Sequence, residues 1–304
     1  MSTAIKIKVE ELNSLAPTGI VECPKVEQKF VQMYNAIWGN EQGEQRYAAE
    51  KFNFNKLLQE KPELQECSKL SLFGCFLDMA VNGLSLDQTG RPQCYMMSRN
   101  VKVKLPNGTE TWEKRANIQV SAYGEVYMRQ RVGQIKYCDQ PVIVYEGDVF
   151  SVGLENGVKK ITYQAAIPRK TNKIIAAFIR IVRNDGSEDY HWMMQSDWER
   201  LAHYSNKNNK NKGANALYTS NGGQIDPGFL ENKLTKHAFD VYPKVRVGDY
   251  TSLATIEEPE QKIDYGVVDA EAVVVESKSF DEAQVVEAKV VQPVVTQADS
   301  EEGF

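Results

Sequence analysis

Apolar and polar positions alternate most clearly in the middle of the chain. Ile118, Val120 and Ala122 interleave with Asn117, Gln119 and Ser121, which predicts a strand with one apolar and one polar face. The period then changes. Val126, Tyr127 and the stem of Gln130 recur at helical spacing, and Gly133 stands where such a helix would stop. Pro141 to Tyr145 is an apolar run that predicts another strand, broken by Glu146-Gly147-Asp148. Nearer the N-terminus, Val26, Phe30, Met33, Tyr34 and Ile37 predict an amphipathic helix opened by Pro24 and closed by Gly39. A second helix is expected from Pro62 to Asn82, with Leu70, Phe73, Phe76, Leu77 and Ala80 on its stripe and Gly83 as terminator. Residues 1–22 read as a loosely held arm, and residues 40–55 as polar with scattered aromatics.

Three hairpins are predicted from turn chemistry. Tyr95–Leu105 and Thr109–Gln119 flank Pro106-Asn107-Gly108. Val149–Leu154 and Val158–Tyr163 flank Glu155-Asn156-Gly157. Ile174–Arg183 and Glu188–Met194 flank Asn184-Asp185-Gly186. Asn-Gly and Asp-Gly between alternating runs are strong hairpin signals, because glycine takes the left-handed conformation of a tight turn without strain. Ser196-Asp197-Trp198-Glu199 has the form of a capping box opening a short helix. A polar basic loop follows, with Lys207, Lys210 and Lys212 and no acid from Arg200 to Gln224. A last helix is expected over Phe229–Tyr242, with Leu230, Leu234, Ala238 and Val241 aligned and Lys236 on its flank. The fold class expected is α+β, a twisted antiparallel sheet of hairpins with helices packed on one face. Residues 1–56 would form an arm and helix, 57–250 the core, and 251–304 a disordered acidic tail.

Charge sharpens this picture. The net charge of −5 hides an asymmetry: residues 251–304 carry 13 acidic side chains and three lysines, so the preceding 250 residues are +5. From Arg99 to Arg183 there are 15 basic and 7 acidic side chains. A basic body of this kind points to a polyanion as partner. Arg129 and Arg131 follow Tyr123 and Tyr127 on the central helix, a combination suited to phosphates and unstacked bases. The five cysteines show no Cys-x-x-Cys spacing and no nearby histidine, so neither a metal site nor a disulfide framework is expected. Cys67 and Cys75 lie in an apolar helix and are expected in the core. No run of eighteen apolar residues and no signal-peptide core is present, which points to a cytoplasmic protein away from membranes. There is no Walker loop, HExxH or Gly-x-Ser-x-Gly, and His191, His203 and His237 are far apart. Catalysis is therefore not expected, and no cofactor is required by any motif, magnesium entering at most as an aid to annealing.

The order of several short motifs resembles the RecT family of phage single-strand annealing proteins. Asn82-Gly83-Leu84 ends a helix, Arg131-Val132-Gly133 ends the central helix, and Gly147-Asp148-Val149-Phe150 follows the next strand. The likeness runs from about Leu57 to Val245. One departure stands at the strand-to-helix junction, where the family's Gly-Tyr-Arg-Gly is replaced by Ser121-Ala122-Tyr123-Gly124, so that the arginine's role passes to no residue here. The resemblance implies a protein that coats single-stranded DNA as a ring or filament and pairs it with a complementary strand without nucleotide hydrolysis. It also implies a phage exonuclease or host single-strand-binding protein as partner. On the residue pattern, the DNA-binding candidates are Lys102, Lys104, Arg115, Tyr123, Tyr127, Arg129, Arg131, Lys136, Arg169, Lys170, Lys207, Lys210, Lys212 and Lys236. The alternatives are a phage accessory protein that binds DNA without annealing it, or a nucleic-acid hydrolase.

Overall fold

The computed structural model describes residues 5, 7–39, 41–104, 108–209, 212–243, 245 and 267–268. It opens with β1 (Ile7–Lys8), α1 (Val9–Asn13) and a 3-10 turn over Thr18–Glu22. The helices α2 (Pro24–Trp38), α3 (Gly43–Glu60), α4 (Pro62–Gln65) and α5 (Lys69–Asn82) follow. A long hairpin, β2 (Cys94–Lys104) and β3 (Glu110–Val120), leads into α6 (Ala122–Arg131). Then come β4 (Tyr137–Cys138), β5 (Val142–Tyr145), the hairpin β6 (Val149–Glu155) and β7 (Val158–Gln164), and the hairpin β8 (Ile174–Val182) and β9 (Glu188–Met194). The chain continues through α7 (Gln195–Asn208), a 3-10 turn over Ala216–Tyr218, α8 (Pro227–Ala238) and β10 (Val267–Val268).

The α+β class holds, but the strands do not form one sheet. The hairpins β2–β3 and β6–β7 stand as separate two-stranded sheets. In the third sheet β8 is flanked by β9 on one edge and by β4 and β5 on the other. Two hydrophobic cores result. The first gathers the N-terminal helices and the root of β2–β3 around Phe30, Phe54, Phe73 and Phe76, all fully buried. Phe76 is central, with ring centroids 4.9 Å from Phe30, 5.4 Å from Phe54 and 5.9 Å from Tyr47. The second core lies between one face of the β8 sheet (Ala177, Ile179, Ile181, Met193) and α7 and α8 (Trp198, Leu230, Leu234, Ala238). The other face of that sheet is covered by β6–β7, where Phe150 stacks on Phe178 at 5.7 Å and Tyr163 meets it edge-on at 5.4 Å.

The N-terminal arm is not loose. Ile7, Leu12, Ile20 and Val21 are fully buried, and the Val21 carbonyl accepts a hydrogen bond from the Tyr47 hydroxyl. The stretch 40–55, read as polar with scattered aromatics, supplies from Gly43 onward most of an eighteen-residue helix that ends at Glu60. Its stripe of Tyr47, Phe54, Leu57 and Leu58 is interrupted by Glu50, an acid at a core position, which obscured the period. Glu50 is buried because it is satisfied: it accepts from Ser85 Oγ at 2.7 Å and the Leu86 N–H at 2.8 Å, with Arg46 at 3.4 Å. The boundary expected at residues 56/57 therefore falls inside α3.

The helix expected from Pro62 to Asn82 is two helices. Ser68 is extended, and its N–H donates to the Lys114 carbonyl of β3 at 2.8 Å, taking that residue out of the helical ladder. Leu70, placed on the apolar stripe by its spacing, is 42% exposed, while Cys67 and Cys75 are buried as expected.

All three hairpins are in place and in register. Asn156 (φ 51°) and Gly157 (φ 77°) take the left-handed conformations of a tight two-residue turn. The turn at 105–107 lies outside the described residues, as does the expectation of disorder for residues 251–304 other than Val267–Val268. That pair runs parallel to Ile7–Lys8.

The capping of α7 differs from expectation: Asp197, not Ser196, does the work, accepting the Met194 N–H at 2.8 Å. The helix runs for 14 residues, absorbing residues 203–208 of the expected basic loop. α8 stops at Ala238, and Val241 beyond it is 73% exposed.

Asp148 explains why Gly-Asp-x-Phe sits where it does. Its carboxylate accepts the Tyr145 N–H at 2.9 Å, the Ala166 N–H at 2.9 Å and the Tyr163 hydroxyl at 3.3 Å, tying both ends of β6–β7 together. These bonds, the Tyr145 N–H first, hold its carboxyl below the usual carboxylate range. A depressed carboxyl contributes stability above its unfolded pKa and loses it as pH falls through the folded value. Asp148→Ala is expected to lower stability by about 2 kcal/mol at neutral pH. The deficit should begin to shrink as pH drops below about 4, where the unfolded chain takes up the proton, and vanish below the depressed folded value, where the native carboxyl is itself protonated. Chemical denaturation of both proteins across that range checks it.

Candidate nucleic-acid interface

The candidate residues divide according to what the fold does with them. The β2–β3 register places side chains of paired residues on the same face. Cys94, Met96, Ala116, Ile118 and Val120 face the first core. On the opposite face stand Tyr95 beside Gln119, Met97 beside Asn117, and Arg99 directly across from Arg115. Tyr95 and Met97 are 38% and 47% exposed. Arg115 bonds Glu113, two residues along the same face. Two arginines facing each other across strands raise the local positive potential, which Glu113 offsets in part and an anion lying along them would offset further. Towards the tip Lys102, Lys104, Glu110 and Trp112 belong to the other face, beyond the reach of the core: Lys102 pairs with Glu110, Lys104 is exposed, and Trp112 opposite Lys102 is 67% exposed. The face of Tyr95 and Arg99 therefore offers two arginines, an aromatic ring, a thioether and two amides in a row along an extended ribbon.

The side chains of α6 bond chiefly within the protein. Ser121 caps the helix, its hydroxyl oxygen accepting the Gly124 N–H at 2.9 Å while the hydroxyl donates to the Pro92 carbonyl at 2.6 Å. A Cβ on Gly124 would run into the Gln93 carbonyl, so only glycine fits there. Arg131 donates to the Gly83 carbonyl at 2.8 Å and to the Tyr34 hydroxyl at 2.9 Å, and its guanidinium lies 3.7 Å from the Trp38 ring centroid. It thus caps the C-terminal end of α5, where a cation is favoured. A Cβ on Gly83 would strike that guanidinium, and Gly83 also needs its φ of 61°.

Arg129 points the other way. It bonds Gln134 and the Pro243 carbonyl (3.3 Å), pairs with Glu125 at 3.5 Å, and lies 4.5 Å from the Phe239 ring centroid. It is 6% exposed. Burial, opposed by Glu125, lowers its pKa from the ordinary arginine value. Both guanidiniums, expected to take phosphates, are thus occupied by intramolecular partners: the two arginines lie on opposite sides of one helix and each anchors one core. Tyr127 is partly buried against the first core, and Tyr123 is 44% exposed at the helix start.

The remaining candidates are dispersed. Lys136 is exposed, its N–H bonded to Val182. Arg169 lies 3.6 Å from the Tyr145 ring centroid, and it and Lys170 are exposed in the loop before β8. Lys207 and Lys212 are exposed at the end of α7, and Lys210 lies outside the described residues. Lys236 is half-buried on α8, and burial, then Glu125, shapes its pKa, with the net shift downward. Tyr95, Met97 and Arg99 were not singled out from sequence. Their signal was available in the pairing register of the first hairpin, which brings Arg99 across from Arg115.

Among the described residues no group of three or more His, Cys, Asp or Glu is placed to hold a metal ion, and no helix is long and apolar enough to cross a membrane. The described cavity, 670 Å³, lies between the start of β8, α7 and the segment 214–225, with Trp198, Tyr218 and Gln224 in its walls.

The fold is that of an α+β protein whose long hairpin carries arginine, tyrosine, methionine and amide side chains along its outward face. The chain belongs to the RecT family, whose sequence model matches residues 51–224. It is accordingly a DNA-binding recombination protein of the phage-associated recombinase kind, which anneals single-stranded DNA. No curated protein matches the chain significantly.

The two roles separate by mutation. Arg129→Ala is expected to cost about 3 kcal/mol, because it strips a buried network and leaves Glu125 behind. Arg131→Ala should cost about 2 kcal/mol through its two charged hydrogen bonds. Arg99→Gln with Arg115→Gln should leave the melting temperature within about 2 °C, since an exposed arginine and a surface ion pair contribute little. Thermal denaturation of the three variants checks this.

Proposed function

We propose that this protein holds a single DNA strand along the outward face of the β2–β3 hairpin and pairs it with a complementary strand, as an oligomer and without ATP. The observation that carries the reading is the cross-strand pair Arg99–Arg115 on an exposed face that also bears Tyr95, Met97, Asn117 and Gln119. Guanidiniums neutralise phosphates, the tyrosine offers a stacking surface, and the amides bond sugar and base edges. An extended ribbon of eleven residues per strand keeps the nucleic acid extended in turn. Sequence is then read by base pairing rather than by side chains, so annealing needs no bond made or broken in the protein's site. Arg129 and Arg131 we assign to structure rather than to DNA contact. Tyr123 extends this reading at the root of the ribbon, whereas Lys102 and Lys104 stand on its other face towards the tip.

The experiment mixes two complementary oligonucleotides with the protein in the absence of nucleotide. Annealed product on a native gel is expected, and Arg99→Gln with Arg115→Gln should reduce single-strand affinity by about tenfold or more, as loss of two charge-assisted contacts implies. The affinity should fall with salt at a log–log slope of about −0.7 per neutralised phosphate, and the double variant should flatten that slope by about 1.4. Cleaved oligonucleotide would establish a hydrolase instead; binding with no annealed product would establish an accessory DNA-binding protein. Light scattering along a series of oligonucleotide lengths tests assembly, and monomers at every length would remove the oligomer from the proposal.

A further inference from the structure

We propose that the solvent face of α7 is a second single-strand DNA site, separate from the hairpin, which recruits the incoming complementary strand. The inference rests on the reading of the hairpin as the first-strand site.

The inner side of α7 is fixed in the second core by Trp198, with Leu201 and Ala202 packed beside it. Its outer side carries Arg200, His203, Tyr204 and Lys207, at i, i+3, i+4 and i+7, which is one face of a helix. All four are exposed; Tyr204 is 53% exposed, and its ring centroid lies 6.3 Å from that of His203. A large ring left in water beside two permanent cations fits neither a core stripe nor an ordinary charged helix face, where acids alternate with bases. Here no acid occurs from Arg200 to Gln224. Asp197, one turn earlier, lies 3.7 Å from Arg200, but the arginine side chain remains 66% exposed, so this pair leaves it accessible.

The asparagines that follow hold a third cation in place. Asn206 Oδ1 accepts the Gly213 N–H at 2.9 Å. Asn209 Nδ2 donates to the Gly213 carbonyl at 3.1 Å, and Ser205 Oγ accepts the Asn215 N–H at 3.1 Å. These bonds fold residues 212–215 back against the end of α7 and keep Lys212 near Lys207. The result is a cationic stripe with one stacking ring, spanning about 10 Å along the helix before Lys212 is added. Its chemistry is that of a sequence-independent single-strand contact.

It is distinct from the hairpin face because the two belong to different cores: β2–β3 roots in the first and α7 packs on the second. Two sites of unequal strength suit annealing. The hairpin ribbon retains one strand, and a weaker, mostly electrostatic site raises the local concentration of the other and offsets phosphate repulsion while bases are tested.

The test uses the full-length chain carrying Arg200→Gln, Lys207→Gln and Lys212→Gln, and separately Tyr204→Ala. All four positions are exposed, and circular dichroism melts confirm that the variants fold. Single-strand affinity is measured by fluorescence anisotropy, and the annealing rate by quenching between labelled complementary oligonucleotides added to pre-coated first strand. The proposal expects first-strand affinity within about twofold of wild type and an annealing rate lowered about tenfold or more by the triple variant, in the range that loss of electrostatic steering produces. The deficit should narrow as salt rises. Affinity and rate falling together would show that α7 is part of the first-strand site and overturn the proposal. An unchanged rate would make the stripe a solubilising face and also overturn it. Failure of the hairpin reading is seen separately, as a wild-type affinity that Arg99→Gln with Arg115→Gln does not alter.

Discussion

The structure depends on one helix being held from both sides. α6 is ten residues long and lies between the two hydrophobic cores. Arg131 reaches into the first, bonding the end of α5 and lying on Trp38. Arg129 reaches into the second, over Phe239 and against the chain that leaves α8. Each guanidinium is a planar multi-donor group on an aromatic face, which a lysine would not reproduce. The orientation of the β2–β3 ribbon relative to the β8 sheet is set by this arrangement, because β3 runs into α6 with only Ser121 between them.

This gives the short family motifs a physical meaning. Asn82-Gly83-Leu84 and Arg131-Val132-Gly133 are separated by dozens of residues, yet the Gly83 carbonyl is the acceptor for Arg131, and the lack of a side chain on Gly83 is what admits the guanidinium. Gly147-Asp148-Val149-Phe150 is likewise one device: the glycine turns at φ 97°, the aspartate staples the hairpin ends, and the phenylalanine seats the hairpin on Phe178. The motifs specify how the scaffold closes. DNA contact is, in the function we propose, left to side chains that project from the closed scaffold.

That division accounts for how much was legible in the sequence. The hairpins were, because Asn-Gly and Asp-Gly turns act locally and the flanking alternation is unambiguous. So was α2, which has a clean apolar stripe between Pro24 and Gly39. α3 was hidden by Glu50, whose burial depends on Ser85 and Leu86, partners far along the chain. The N-terminal arm was misread because Leu12, Ile20 and Val21 are too sparse to show a period and are buried by α2, α3 and α5. The site was half legible. Charge and composition pointed to a polyanion, but a buried arginine and a DNA-binding arginine look alike in a sequence. Arg129 and Arg131 were separated from Arg99 and Arg115 only by what packs around them.

The most direct measurement of that distinction is arginine modification with phenylglyoxal, quantified residue by residue by mass spectrometry, on the free protein and on its complex with a single-stranded oligonucleotide. The account predicts that Arg99 and Arg115 react in the free protein and are protected by DNA, while Arg129, at 6% exposure, reacts slowly in both states. DNA-dependent protection of Arg129 and Arg131, with Arg99 and Arg115 equally reactive in both states, would contradict it.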